Sequence, residues 1–292
     1  MRTDQQMMEL ILDTARQDPR ILAAYLKGSR TNPNAPKDIY RDFDLVYVVT
    51  ETAGFRDDPH WLDRFGTIVL MEEQDDDYAY GDRFGIRKDY DQSYSWLMLF
   101  DDHTRIDLGV ETLEAFRKGR GRNRLFLPLL DKGDFLAGAQ LPSDRDFFVR
   151  RPTAKNYRCC CTEFFWCLCD TAKGLARDEI PFAMTVYHGR VRVMLELMLS
   201  WQIGAQTDFS VSVGKECKYL KKFLSPHAYS LYLETLPDGD SQRFWRAMDR
   251  CRELFRETAL ETAEALGFAY PGEEEKAAAD FLEWARRSAP GR

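Results

Sequence analysis

The sequence has little that would tie it to nucleic acid, to a membrane or to an oxidising compartment. Its 41 Lys and Arg are outnumbered by 48 Asp and Glu, a formal net charge of -7, and a general nucleic-acid binder needs clustered cations to neutralise phosphates. A cationic small molecule suits such a surface better. No stretch reaches about 18 consecutive apolar residues, and no early apolar segment has signal-peptide character, so the chain is expected to be cytoplasmic, neither secreted nor membrane-spanning. The seven cysteines, at 159, 160, 161, 167, 169, 217 and 251, are odd in number and mostly bunched in one apolar stretch. That is unlike a secreted disulfide framework, and they read as reduced core thiols. Cys160 and Cys167 share a helical face but lack the close Cys/His pairs of a zinc site. The four histidines (60, 103, 188 and 227) are scattered, and none is assigned to chemistry. Internal repeats and low-complexity linkers are missing as well.

What is present suffices for two domains: 292 residues, 44% of them hydrophobic, can fill substantial cores. Strand signals prevail up to about residue 150 and helical periodicity after it. The expectation is an α+β chain with a mixed-sheet N-terminal domain (1–150) and an all-helical C-terminal domain (151–292). Residues 4–16 read as an amphipathic helix, residues 21–26 as a buried strand, and residues 32–39, with Pro33 and Pro36, as a loop. Residues 67–71 are the next strand, followed by an acidic run at 72–77. Residues 94–100 and 105–110, separated by four polar residues, read as a hairpin. Further on, helices are expected at 191–201, 215–224, 230–236, 244–266 and 273–287, with Phe164, Phe165, Leu168 and Ala172 on another.

The chain is organised around Gly28-Ser29-Arg30-Thr31 and, 14 residues after Gly28, Asp42-Phe43-Asp44, which opens the apolar run Leu45-Val46-Tyr47-Val48-Val49. In a strand Asp42 and Asp44 point to one side, about 7 Å apart, and Phe43 to the other. Two carboxylates there repel unless a cation sits between them, and Mg2+ takes oxygen ligands while sharing them with substrate phosphates. The small-residue turn supplies backbone N–H groups and a hydroxyl for those phosphates. Asp107, on the second hairpin strand, stands opposite Ile106 and Leu108 and brings a third acid. Three such acids fit two-metal nucleotidyl transfer, in which two ions about 3.5–4 Å apart clamp the attacking and leaving oxygens. Asp42, Asp44 and Asp107 are therefore the candidate catalytic and metal-binding residues. Gly28, Ser29 and Arg30 are candidates for the nucleotide phosphates, as is Lys215, which follows Gly214 in a Lys-rich stretch. Glu163, Trp166 and Asp170, three and four residues apart on one helical face, read either as core packing with a surface acid or as candidates for a cationic substrate.

At this point the sequence resembles the aminoglycoside 6-adenylyltransferases, also called streptomycin 6-adenylyltransferases. The resemblance is carried by Gly28-Ser-Arg-Thr-Asn-Pro-Asn-Ala-Pro-Lys with Asp42-Phe-Asp44, and by Leu99-Phe100 with Arg105-Ile-Asp107-Leu. It continues in Lys173-Gly-Leu with Glu179-Ile-Pro181, and in Ser212-Val-Gly-Lys215 with Lys218-Tyr-Leu-Lys221. It implies a nucleotidyltransferase domain of DNA polymerase β type, a helical C-terminal domain, and transfer of AMP from MgATP to the 6-hydroxyl of streptomycin. It also implies that Ser29 is the phosphate-turn serine, Asp42 and Asp44 the metal-binding pair and Asp107 the third acid. Residue chemistry alone leaves two alternatives: transfer to another aminoglycoside or to a protein hydroxyl, and a nucleotide-binding module without turnover.

Overall fold

The computed structural model describes residues 1–73, 89–119, 123–138 and 140–288. Two compact units follow one another in the chain, Met1–Asp146 and Phe147–Arg292.

The first unit is built on six strands: β1 (Ile21–Lys27), β2 (Phe43–Val49), β3 (Ile68–Glu72), β4 (Ser93–Phe100), β5 (Arg105–Thr112) and β6 (Phe126–Asp131), in the order β3-β4-β5-β2-β1-β6. Only β2 and β5 pair in parallel; the other neighbours are antiparallel. The expected hairpin is β4–β5, closed at His103 in a left-handed conformation (φ 66°). The alternation of β2 puts Phe43, Leu45, Tyr47 and Val49 into one core with Met7, Ile11 and Ala15 of helix α1 (Asp4–Gln17) and the rings of Trp61 and Phe65. Each such large side chain is worth about 1.5–3 kcal/mol when removed from water. Tyr47 donates from its hydroxyl to the Ile11 carbonyl (2.8 Å), fixing α1 against the central strand. Thr3 and Gln6 form a capping box at the start of α1, worth about 1 kcal/mol. On the other face, Val46 and Val48 pack with Ala23, Tyr25, Phe116 and Leu136. A register shift between Ile21 and Ala23 lets β1 serve both cores.

The expected 32–39 loop holds no helix or strand; Asn34 pins it, donating to both carboxylate oxygens of Asp144 at 3.1 Å. Most of the acidic run lies outside the described residues.

The second unit is helical: α2 (Ala154–Ala176), α3 (Ile180–Val186) running through a π turn at Tyr187–Val191 into α4 (Arg192–Gln206), α5 (Pro226–Glu234), α6 (Ser241–Leu266) and α7 (Gly272–Arg287). Phe164 on α2 stacks on Phe255 of α6, with centroids 3.6 Å apart. One expected helix is corrected. Over 215–224 there is a single 3-10 turn at Lys215–Cys217 and a single α turn at Leu220–Phe223, because Glu216 (φ 51°) and Cys217 (φ 55°) are left-handed and a right-handed helix cannot run through them. No described helix is long and apolar enough to cross a membrane.

Candidate active site

The site is assembled at the entry of β2 and β5. Their parallel register sets Asp44 beside Asp107, and both residues stand on the face away from Phe43 and Ile106, which are buried in the other core. Asp42, one residue ahead of β2, belongs to the same alternation. Gly28 opens the turn between β1 and β2 with φ 70°, and a Cβ there would lie 2.3 Å from Asp44 Oδ2. The glycine is thus required twice, by its backbone conformation and by the carboxylate packed on it. Thr31 closes the turn, its backbone N–H and its hydroxyl both donating to the Gly28 carbonyl (3.2 and 2.9 Å). Ser29 is half-buried in the same turn.

Arg30 is more constrained than its place in the turn suggests. Its guanidinium donates to the carbonyls of Arg41 (2.9 Å) and Asp42 (3.0 Å) and to Asp4 Oδ2 (2.8 Å), and lies 3.5 Å over the Phe43 ring. It braces the turn to the residues that deliver Asp42.

Sequence reasoning missed Arg105. It donates from Nε to Asp107 Oδ1 (2.9 Å) and from a terminal nitrogen to Asp107 Oδ2 (3.3 Å), and Nε stands 3.9 Å from Asp42 Oδ2. The signal was in the strand alternation, since Arg105 precedes Asp107 by two residues on one face. The same alternation carries Glu111, a buried acid that accepts from the Tyr25 hydroxyl at 2.8 Å in the core.

The acids are electrostatically strained. The Asp44 carboxyl is pushed up to about 6, first by burial, then by Asp107, with Lys27 opposing. Asp42 is raised by burial and by Asp107, against the pull of Arg105. Among the described residues no three His, Cys, Asp or Glu side chains stand together closely enough to hold a metal as they are; Arg105 lies between Asp42 and Asp107. The donor set nevertheless fits a hard cation: carboxylate oxygens only, mutually repelling, and partly desolvated.

This strain has a measurable consequence. In the unfolded chain Asp44 titrates near the ordinary value, about 3.9, so between about pH 4 and 6 the fold holds a proton that the unfolded chain has released. Metal-free stability should therefore fall as pH rises through that window, by about 2–3 kcal/mol from this group alone. Denaturant unfolding in EDTA at pH 4.5 and pH 7 should show this loss in the native sequence and a smaller one in Asp44→Asn. Equal losses in both would remove Asp44 as the source.

The remaining sequence candidates lie in the second unit. Lys215 is exposed and follows Gly214, whose φ is 79°. On α2, Trp166 is 69% exposed, so it is no part of the core. Glu163 accepts a hydrogen bond from the Cys167 thiol (3.4 Å), and Asp170 pairs with Lys173 (2.5 Å). The Cys160 and Cys167 thiols are buried and pushed up, Cys167 to about 12, chiefly by burial, as inert core thiols are.

Asp44 on β2 and Asp42 just ahead of it follow a Gly-Ser turn, with Asp107 on the parallel neighbour; the class of enzyme is a nucleotidyltransferase. The chain belongs to the streptomycin adenylyltransferase family, which matches residues 1–284. It is 34% identical over 276 residues to an aminoglycoside 6-adenylyltransferase of Bacillus subtilis (strain 168), covering 94% of this chain and 95% of that one. It is 33% identical over 276 residues to one of Campylobacter jejuni, covering 94% and 93%. A solved aminoglycoside 6-adenyltransferase from Bacillus subtilis is similar with a TM-score of 0.48 at 28% identity, covering 98% of this chain and 99% of that one.

Proposed function

We propose that the enzyme transfers AMP from MgATP to the 6-hydroxyl of streptomycin and releases pyrophosphate. The observation that carries the reading is the pairing of Asp44 with Asp107 across parallel strands, with Asp44 packed on Gly28. The first unit then acts as the nucleotidyltransferase domain and the helical unit as the acceptor-binding domain. Asp42, Asp44 and Asp107 are the residues that would hold Mg2+, which when bound offsets charge on the reacting phosphates.

The chain's own groups do the rest. Gly28 leaves room for the Asp44 carboxylate and for a phosphate approaching the turn. Ser29 offers its hydroxyl to the terminal phosphates; Lys215, exposed on the second unit, is a cation of the kind that nucleotide phosphates attract. Arg30, three of its five N–H donors held by the chain, positions Asp42 and keeps two donors that a phosphate at the turn can take. A carboxylate at Asp107 gives the proton of the attacking hydroxyl an acceptor. Glu163, Trp166 and Asp170 suit the two guanidinium groups of the streptidine ring through charge and cation-π contact. Use of ATP agrees with a cytoplasmic enzyme.

Pyrophosphate release with MgATP should appear with streptomycin and stay at the no-acceptor blank with spectinomycin and kanamycin. Release with none of the three would remove the proposal, and release with kanamycin alone would reassign the acceptor.

A further inference from the structure

Arg105 and Arg30 flank the same acids and are held very differently. The Arg30 side chain is 10% exposed, stacked on Phe43 and held through all three of its nitrogens by chain acceptors. The Arg105 side chain is 43% exposed and grips only the carboxylates of the trio, Asp107 through two nitrogens and Asp42 at 3.9 Å. Beside it opens a cavity of about 580 Å3, lined among others by Asp42, Leu99, His103 and Arg105. A guanidinium there meets the same oxygens that a divalent cation would take, and its side chain is more than four times as exposed as that of Arg30 (43% against 10%). The Asp107 oxygens that the guanidinium grips cannot at the same time ligate a metal ion, so the two compete for them.

We propose that Arg105 is a positioning residue: it is the internal counter-ion of the acids in the metal-free enzyme and leaves Asp107 for the adjacent cavity when a divalent cation enters. This rests on the reading of Asp42, Asp44 and Asp107 as metal ligands. In the metal-free state Arg105 offsets the repulsion of Asp107 and Asp42 at the entry of the neighbouring strands β2 and β5. In the metal-bound state that task passes to the ion. Arg105 accordingly stabilises the empty site and weakens metal affinity, two effects that a purely structural ion pair would not link.

The test is a Mn2+ titration of the full-length, nucleotide-free protein, followed by electron paramagnetic resonance at fixed ionic strength. Arg105→Gln should bind Mn2+ about tenfold more tightly, because a competing charge is gone. Arg105→Lys, which keeps the charge but loses the two-nitrogen grip on Asp107, should tighten Mn2+ binding by less than Arg105→Gln does. Thermal unfolding supplies a second readout: Arg105→Gln should unfold at lower temperature in EDTA, and saturating Mg2+ should close that deficit. Unchanged or weaker Mn2+ binding in Arg105→Gln, equal tightening in both variants, or a deficit that persists in Mg2+ would each overturn the counter-ion role. Asp42→Asn separates the two layers of the argument. If it binds Mn2+ as the native protein does, the metal reading of the acids has failed; if it loses Mn2+ while Arg105→Gln is unaltered, only the role of Arg105 has.

Discussion

Asp42→Asn should lower kcat for transfer by at least about a thousandfold and leave the protein folded. The change is isosteric, so no core volume is lost; what disappears is one negative charge at the start of β2, where the site must offset a cation and the charge moving on the phosphates. Stability gives an independent check. Asp42 is raised by burial and by Asp107, so the ionised group is a liability to the metal-free fold. The Asn variant should unfold no earlier than the native chain in EDTA. Near-normal turnover would show that Asp42 is not part of the machinery, and early unfolding would show that its main work is structural.

Gly28→Ala should divide stability from activity just as sharply. An alanine at φ 70° costs about 1–2 kcal/mol, and its Cβ would fall 2.3 Å from Asp44 Oδ2. Asp44 Cγ would lie 2.8 Å away as well, so the whole side chain must swing about χ1; the clash is with a side chain and not with backbone, and the fold survives. Turnover cannot survive unchanged, because Asp44 is then displaced from the face it shares with Asp107. Loss of at least about a hundredfold in kcat/KM is expected, with a modest drop in unfolding temperature. A variant that kept full activity would show that the contact of Asp44 with the turn is dispensable.

Much of this site was legible in the sequence because strand alternation is a local rule. Asp42-Phe43-Asp44 ahead of an apolar run states which face carries the acids, and four polar residues between two β-rich runs state where the hairpin turns, so Asp107 could be reached by counting. The helical half was readable from periodicity, except at 215–224, where the left-handed Glu216 and Cys217 carry no signal such as a glycine or an asparagine would have given. What counting cannot give is who meets whom across strands. The parallel pairing of β2 with β5 is such a fact, as are the place of β6 on the outer edge and the anchoring of Asn34 on Asp144 from 110 residues away. Arg105 was invisible for a related reason: a surface arginine on a strand and a counter-ion look alike until both of its carboxylates are placed.

The parallel register of β2 and β5 also acts as a check on assembly. Were β5 to slip by one residue, Asp107 would turn into the core that holds Phe43 and Ile106, and an isoleucine or leucine would turn out among the acids. A misaligned copy would therefore be unable to bury its own centre. A slip of β5 would thus cost the fold its apolar burial in the same step as it scatters the acids, so the catalytic arrangement and stability are lost together.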